Sequence, residues 1–440
     1  MKYDLFFKLA KEAGIEEAEL YVSESHSLEI SLFHSEIDNY SDNNGFSIIA
    51  RGMINGKLGS ASCDVWNKEK AAYLVREIAA NARVIESDDP AFIFEGSPKY
   101  KKVNTFNNDL VNVSIEDKLA KLYELEKELK AYDERIVEIG GVEYSEATEK
   151  FTLLNSKGLK LSQKTNYFVY LGQAVARSGE QTKSGYDYFL SNDFSKFDVK
   201  ALAAKIGKET VDQLGGEPCE SSNYKAVLAP QVVRALMSVL LGHVDAEEVQ
   251  KNSSLFIGKL NQQVLSKKIS IEERPLERNV FARWFDDEGV ATYNKFIFKN
   301  GVLQTYLYNL TTAAKDGVSS TGNGYRSGGK MSISTGYTVL KPGKKSQEQL
   351  FQDVNNGVYI TEVSGLHAGL NPQSGNFSLQ STGYLIKDGK KDRPLDIITI
   401  SGNLLEVFKQ VEEVGSDLEI SSSGSAAPSL LIKNIAVSGK

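Results

Sequence analysis

The sequence predicts an α+β protein. Its N-terminal half is a duplicated unit of helix, antiparallel sheet and helix, and its C-terminal half is mainly antiparallel β with few helices. Amphipathic helical segments and period-two strand segments follow each other in the same order twice before residue 215. Short apolar segments separated by Gly and Asn make up most of the remainder. The length of 440 residues and the Gly/Pro-containing breaks predict three domains, at residues 1–90, 103–215 and 220–440.

The first unit begins with an amphipathic helix over residues 1–13, which Gly14 ends. Strand patterns then fill residues 18–62, and the step Asn43-Asn44-Gly45 predicts a tight hairpin turn between two of the strands. Asn67 is placed to cap a helix over residues 68–84, whose apolar positions form one stripe. A Pro- and Lys-containing stretch that ends at Lys102 is expected to be a linker.

The second unit repeats this order. Ser114 opens a helix that runs to about residue 131, strands follow between residues 136 and 190, and a helix spans about 199–214. Residues 30–40 and 151–161 both have the pattern of strand, polar turn and strand, which favours a duplication. Two unrelated α+β segments remain an alternative, because the order of elements repeats more clearly than the residues do.

The C-terminal half opens with a strand at Tyr224 and a helix in whose first turn Pro230 lies. Beyond residue 255, short β segments dominate. The steps Asn300-Gly301 and Asp388-Gly389 supply the positive φ angles of hairpin turns, so they predict antiparallel pairs.

Charge and composition exclude several classes of protein. The net charge of −7, with no long Lys/Arg run, argues against a nucleic-acid partner. The two cysteines, Cys63 and Cys219, belong to no CxxC pair, which fits a reducing compartment. About 18 consecutive apolar residues occur nowhere, so no membrane span is expected. Together these features predict a cytoplasmic protein that does not associate with membranes.

The most informative segment, residues 236–248, has the frame of a zinc-peptidase helix without its chemistry. Such helices need imidazoles that hold the metal and a carboxylate beside the first of them that takes a proton from the bound water. Here Val244 follows His243, and no second His follows within two turns. Valine neither binds zinc nor accepts a proton, so the helix alone does not support a hydrolase.

Several further segments, in the same order, resemble the TldD/PmbA family, also described as modulators of DNA gyrase and as zinc peptidases. In the C-terminal half they are Gly258-Lys-Leu-Asn-Gln-Gln263, Phe285-Asp-Asp-Glu-Gly289, Asn300-Gly-Val-Leu303, Gly322-Asn-Gly-Tyr-Arg326, Asn371-Pro-Gln-Ser-Gly-Asn-Phe-Ser378 and Pro428-Ser-Leu-Leu-Ile432. Near the N-terminus they are Ser23-Glu-Ser-His-Ser-Leu-Glu-Ile30 and Gly59-Ser-Ala-Ser62. The resemblance extends over nearly the whole chain.

The resemblance implies a function that depends on the branch of the family. The TldD branch carries His-Glu-x-x-x-His and a later cysteine that completes the metal site, whereas the PmbA branch, also called TldE, lacks them and serves as the partner of a TldD subunit. Placed on this sequence, the positions are His243, Val244 for the catalytic Glu and Glu248 for the second His, and residues 420–424 hold no cysteine. The chain therefore resembles the PmbA branch.

This branch implies a non-catalytic subunit of a cytoplasmic TldD/TldE-type metallopeptidase complex that degrades or processes unfolded peptides. No catalytic residue and no cofactor are expected in this chain, and zinc is expected in a TldD-like catalytic subunit. A homodimer or heterodimer is expected. The alternatives are an independent zinc metallopeptidase with a non-standard metal site, and a protein that binds and modulates DNA gyrase.

Candidate ligands for such a non-standard site are His243, Glu247 and His367. Glu247 lies four residues after His243 and would share its helix face. Against this, His243 continues the apolar stripe of its helix, so a core or interface histidine explains the position equally well. Asp286-Asp287-Glu288 could attract a divalent cation, but its spacing is irregular and a solvated turn is the preferred interpretation. The glycine-rich residues 319–329 lack the Gly-Lys-Ser/Thr ending of a phosphate loop.

For peptide binding we select residues 365–377, and within them Gly369, Asn371, Gly375 and Phe377. The Gly and Asn residues permit close backbone approach, and a neighbouring sheet edge could accept an extended peptide as an additional strand. An ordinary loop that closes the core is the alternative.

Overall fold

The computed structural model describes residues 3–327 and 330–440. It confirms the α+β class, the twofold use of a helix, sheet and helix unit, and the β-rich C-terminal half. The elements of the N-terminal half are α1 (Asp4–Glu12), β1 (Glu17–Phe33), β2 (Glu36–Ile54), β3 (Lys57–Cys63), α2 (Lys68–Arg83), α3 (Asn108–Val111), α4 (Ile115–Ala131), β4 (Ile136–Asn155), β5 (Lys160–Ser178), β6 (Gln181–Ser191) and α5 (Val199–Val211).

The two units share one continuous sheet. Its strand order is β3-β2-β1-β4-β5-β6, so the first strand of each unit lies at the centre, and β1 pairs with β4 in antiparallel orientation from Glu19↔Asn155 to Leu32↔Val142. Because alternate residues of a strand point to opposite faces, β1 serves two cores. The even-numbered residues from Ala18 to Val22 pack with α1 and α2, and those from Leu28 to Leu32 pack with the core of the second unit.

The hairpin turn predicted at Asn43-Asn44-Gly45 is wrong, because β2 runs through these residues without a break. The turn lies at His34 and Ser35, which both adopt left-handed φ angles of 52° and 60°. A Cβ at Gly45 would collide with Ser25 Oγ on the paired strand, so the serine side chain would have to rotate to admit one. By contrast, Asn300-Gly301 and Asp388-Gly389 do form turns, with φ values between 48° and 76°.

The C-terminal half begins with one strand and two helices, and the two helices with the turn between them contain residues 236–248, which we call the motif-like segment. Its elements are β7 (Ser222–Leu228), α6 (Pro230–Gly242), α7 (Ala246–Gln250), β8 (Ile271–Glu273), β9 (Lys295–Lys299), β10 (Val302–Leu303), α8 (Leu310–Asp316), β11 (Gly324–Ser327), β12 (Lys330–Ile333), β13 (Thr338–Leu340), α9 (Gln347–Val354), β14 (Gly357–Ser364), α10 (Leu366–Gly369), β15 (Asn376–Lys387), β16 (Lys390–Asn403), α11 (Leu404–Lys409), β17 (Val411–Val414), β18 (Glu419–Ile420), β19 (Ser425–Ala427) and β20 (Leu430–Ser438).

The larger sheet of this half closes on itself. Its order is β16-β15-β14-β7-β20-β17, and β16 also pairs with β20 from Thr399↔Ser438 to Ser401↔Ala436. A second sheet has the order β10-β9-β8-β13-β19-β18, and β11 and β12 form a separate hairpin. Helix α6 packs against β14 and β19 through its fully buried stripe, which includes Val233, Leu236 and Leu240. None of the described helices is long and apolar enough to cross a membrane.

The C-terminal half packs on the face of the N-terminal sheet that the helices leave open. Tyr21, an odd-numbered residue of β1, joins Leu153 and Leu161 of β4 and β5 in a buried cluster with Trp284 and Phe285. Because the helices and the C-terminal half cover opposite faces, the polar residues on the second face are removed from water and must find partners there.

Candidate functional site

The motif-like segment does not form one helix. Helix α6 ends at Gly242 and His243 is its C-cap, while Asp245 caps α7 by accepting a hydrogen bond from Glu247 N at 2.7 Å. The expectation that His243 and Glu247 share a helix face is therefore wrong. The sequence held a signal for the break, because Asp245 followed three residues later by Glu248 has the pattern of a helix N-terminus.

His243 lies in a closed, mostly apolar environment. Its side chain is buried, its Nδ1 lies 3.4 Å from the backbone N–H donor of Leu255, and its carbonyl accepts a hydrogen bond from Ser254 Oγ at 2.5 Å. Burial lowers the pKa of His243, against an opposing effect of Glu248, so the imidazole is neutral near pH 7. Val244 is fully buried, and its carbonyl accepts from Leu307 N at 2.8 Å.

The other candidate ligands are engaged elsewhere. Glu247 forms an ion pair with Lys251 at 2.5 Å, and Glu248 accepts a hydrogen bond from Ser253 Oγ at 2.6 Å. His367 lies on α10 and is exposed. Across residues 3–327 and 330–440, no three His, Cys, Asp or Glu side chains are grouped so that they could hold a metal ion. The residues around His243 do not fit the zinc that the resemblance implies for the catalytic branch.

The segment selected for peptide binding is a compact hairpin. Leu370 pairs with Phe377, Asn371 N donates to Asn376 O at 2.8 Å, and Gly375 has a left-handed φ of 74°. Phe377 is buried, and a Cβ on Gly369 would collide with the Ser378 carbonyl. Gly369, Asn371 and Phe377 line a shallow pocket of about 510 Å³, and Gly375 is not among its lining residues.

Two observations bear on how this pocket could work. Within the described residues, β15 beside this pocket is paired on both sides, by β14 and β16, and Leu370 pairs with Phe377 near the start of the strand. The hairpin lies close to His243, since the Leu255 side chain is 3.3 Å from the Cβ position of Gly375 and the Leu255 N–H faces the His243 ring. Peptide binding by Gly369, Asn371, Gly375 and Phe377 stays a prediction.

The acidic cluster at residues 286–288 is buried, so the solvated-turn interpretation is wrong. Asp286 accepts hydrogen bonds from Glu288 N, Val290 N and Gly324 N at 2.9–3.0 Å. Glu288 accepts from Leu310 N at 2.7 Å. Burial raises the pKa of Asp286 to about 8 and also raises the pKa of Glu288, and the two carboxyls repel each other. This arrangement closes the interior of the protein and offers no free ligand set.

Arginines join this cluster to the N-terminal sheet. Arg326 Nη2 donates to Glu19 Oε1 at 2.7 Å, Arg51 donates to the same oxygen at 2.6 Å, and Arg283 pairs with Asp287. All these side chains are buried or nearly so. The Arg326–Glu19 contact joins the C-terminal half to the sheet, and Arg283 adds a hydrogen bond to the Tyr21 hydroxyl of β1 at 3.2 Å. Sequence analysis missed the set because its members are far apart in the chain. Of the glycine-rich residues 319–329, Gly328 and Gly329 lie outside the described residues.

Comparison with known proteins gives a consistent result over the whole chain. Family models described as PmbA/TldA metallopeptidase domain 1, central domain and C-terminal domain match residues 18–82, 108–214 and 221–439. A metalloprotease PmbA homologue of Buchnera aphidicola is 26% identical over 433 residues, covering 96% of this chain and 93% of its own length. A metalloprotease of Methanocaldococcus jannaschii is 25% identical over 414 residues, covering 92% and 90%.

Solved structures agree. A Thermotoga maritima protein named for a proposed modulation of a DNA gyrase has a TM-score of 0.91 and 31% identity, with 99% of each chain covered. TldE from Thermococcus kodakarensis has a TM-score of 0.91 at 23% identity, covering 99% of this chain and 100% of its own, and shows the shared fold. The chain belongs to the PmbA/TldD metallopeptidase family.

Proposed function

We propose that this chain is a non-catalytic, TldE-type subunit of a metallopeptidase complex that acts on unfolded peptides. The observation that carries the proposal is the valine at the position of the general base. Val244 is fully buried and has no lone pair, so it cannot take a proton from water.

The proposal does not depend on how the motif is placed. If its last histidine is His243 instead of its first, the six-residue spacing puts the first ligand at Ser238 and the base at Val239, both on α6. Valine again occupies the position of the base. In either placement the imidazole of His243 is buried and faces Leu255 N, which supports a structural role for this residue.

The test measures metal and activity together. The purified chain is analysed for zinc and assayed on an unfolded peptide, alone and mixed with a TldD-like chain that has an intact His-Glu-x-x-x-His helix. For this chain alone we expect substoichiometric zinc and no cleavage. The mixture should cleave the peptide, and His243→Ala in this chain should not change that activity. Stoichiometric zinc, with cleavage by the pure chain that His243→Ala abolishes, would assign the chain to an independent metallopeptidase.

The free edge of the N-terminal sheet suits the partner. β3 pairs only with residues 48–54 of β2, so the outer edge of residues 36–47 carries backbone groups without strand partners among the described residues. Phe33, Ile37 and Tyr40 are 44–50% exposed near this edge. An open, long edge with apolar side chains is typical of a surface that another chain covers. We therefore place the contact with the TldD-like subunit here.

The Thermotoga maritima relative supports a second candidate function, because its name links it to a DNA gyrase. Under this hypothesis the chain contacts gyrase as a protein and not through DNA, given its net charge of −7. Co-purification with purified gyrase subunits, in the absence of DNA, would separate the two functions.

A further inference from the structure

A cavity of about 1030 Å³ lies between the second N-terminal unit and the C-terminal half. Strand β6 and helix α5 form one wall, and α6, α9, β14 and β15 form the other. Its size is at the upper end of the range for sites that enclose small ligands. Both walls carry charged and aromatic side chains, so this is not a gap in an apolar core.

Most of the cations in this cavity are already paired. Each of four basic side chains contacts a carboxylate that also lines the cavity. The pairs are Lys205 with Asp187 at 2.7 Å and Glu419 at 3.5 Å, Arg234 with Glu419 at 3.4 Å, and Lys208 and Lys391 with Asp212. These internal pairs leave no strong site for an anion.

Glu209 is different from these carboxylates. It lies on α5 beside Lys205 and Lys208, and within the part of the chain that the structure describes no hydrogen bond or ion pair reaches its carboxyl group. The Glu209 side chain is exposed to the water in the open cavity. Partial desolvation by the surrounding walls raises its pKa to about 7, which the nearby ammonium of Lys205 partly opposes. A carboxyl that lacks a partner in a concave site is stabilised in its charged form by a bound cation.

The opposite wall is aromatic. Tyr359 stacks with Tyr384 at a centroid distance of 6.3 Å, and Phe351 packs edge-on against Tyr359 at 5.0 Å. The ammonium group of Lys391 lies 4.1 Å from the centre of the Tyr384 ring. Aromatic rings attract organic cations through their electron-rich faces. The three rings are only 5–8% exposed, and the position of Lys391 shows that their accessible part accommodates a cation.

We propose that this cavity binds a peptide segment through a cationic side chain, an ammonium or guanidinium, which pairs with the Glu209 carboxylate. The cation follows from the unpaired carboxyl and the aromatic wall. The choice of a peptide rests on the proposed function and on the volume, which exceeds the needs of one side chain. The chain would thus hold part of a basic substrate peptide at a distance from the motif-like end of α6.

The test uses the full chain alone and two capped tripeptides, acetyl-Gly-Arg-Gly-amide and its citrulline counterpart, which has the same shape without the charge. Affinities are measured by calorimetric titration. We expect the arginine peptide to bind more tightly than the citrulline peptide, and Glu209→Gln to weaken the arginine peptide about tenfold or more. Glu348→Gln is the matched control, because it removes the same charge from a rim residue that already accepts from Ser346 Oγ at 2.8 Å.

Equal binding of the two peptides, no binding at millimolar concentration, or an arginine preference that survives in a folded Glu209→Gln variant would each overturn the proposal. Tighter binding of spermidine than of the arginine peptide would assign the cavity to free polyamines and overturn the peptide part. Because the titration needs neither zinc nor a partner chain, its failure leaves the proposed non-catalytic role intact, and the reverse also holds.

Discussion

The two ends of helix α6 differ in what surrounds them. At its C-terminal end His243 and Val244 are buried among apolar residues, and the imidazole is neutral. In its N-terminal half Gln231, Arg234 and Ala235 line the interdomain cavity, where ion pairs and an unpaired carboxyl are found. The end that the resemblance aligns with a metal-binding motif is closed, and the other end is open and charged. The two proposals above therefore assign a structural role to the first end and a binding role to the second.

The strongest test of the closed end is to restore the missing carboxylate. We expect Val244→Glu to lower the free energy of unfolding by about 3–5 kcal/mol, because a charge without a partner is placed where the side chain is fully buried. Urea unfolding followed by circular dichroism measures this change, and the variant is also analysed for zinc.

Val239→Glu is the control for this experiment. Val239 is the base position if His243 is the last histidine of the motif, and it is only partly buried on α6. The free energy of unfolding should therefore fall by about 1 kcal/mol or less. Wild-type stability of Val244→Glu together with stoichiometric zinc would show that this end of α6 can hold a metal and would contradict its assignment as a closed structural end.

A second prediction concerns the partner that would supply the chemistry absent from this chain. Ile37→Lys introduces a charge at the free edge of β2 without touching either end of α6. Because Ile37 is 49% exposed, we expect a normally folded chain whose association with the TldD-like subunit is weakened about tenfold or more. Sedimentation velocity of the mixed chains measures the association.

The matched control for the edge is Val84→Lys, an equally simple change at a residue that is 74% exposed and lies at the end of α2. It should leave the association as in the wild type. If Ile37→Lys also has no effect, the subunit contact lies on another surface.

Local patterns predicted most of the fold. The alternation of apolar residues in β1, the cap at Asn67 and the turns at Asn300-Gly301 and Asp388-Gly389 appear as expected, because each depends on neighbours in the sequence. The turn predicted at residues 43–45 is wrong because β1 is long enough to pair with β2 through these residues, and the chain reverses at residues 34 and 35 instead.

The sites were harder to predict because they join distant parts of the chain. Asp286 and Glu288 look like a solvated turn until β11 and the N-terminal sheet cover them. Lys205 and Glu209 lie on the exposed side of α5, and only the tertiary fold shows that α6 and α9 lie across a cavity from them. Of these features, only the end of helix α6 at Gly242 had a local signal in the sequence, which is the N-cap residue Asp245 of α7. The apolar stripe of α6 hides this signal, because it favours a longer helix.

The smallest predicted effect is the pH dependence of stability that Glu209, in the cavity at the open end of α6, gives to the protein. The raised pKa of Glu209, about 7, means that the folded protein keeps a proton that the unfolded chain loses above about pH 4.5. The contribution of this group to stability therefore falls as the pH rises from about 4.5 to 7 and is absent above that range. Glu209→Gln removes this dependence, so the variant should be more stable than the wild type at pH 8 by about 1 kcal/mol, a value kept small because solvent in the cavity screens the charge.

The comparison must be made between the two proteins at each pH, because other charged groups face the same carboxyl. Lys205 and Lys208 of α5, Asp187 of β6 and Glu419 of β18 all act on Glu209, and they are present in both proteins, so their own titration cancels in the difference. Thermal unfolding of both proteins from pH 5 to pH 8 gives that difference. A difference that does not change with pH would mean that Glu209 is already solvated or paired in solution, and the open end of α6 would then lose the unpaired charge that distinguishes it from the closed end.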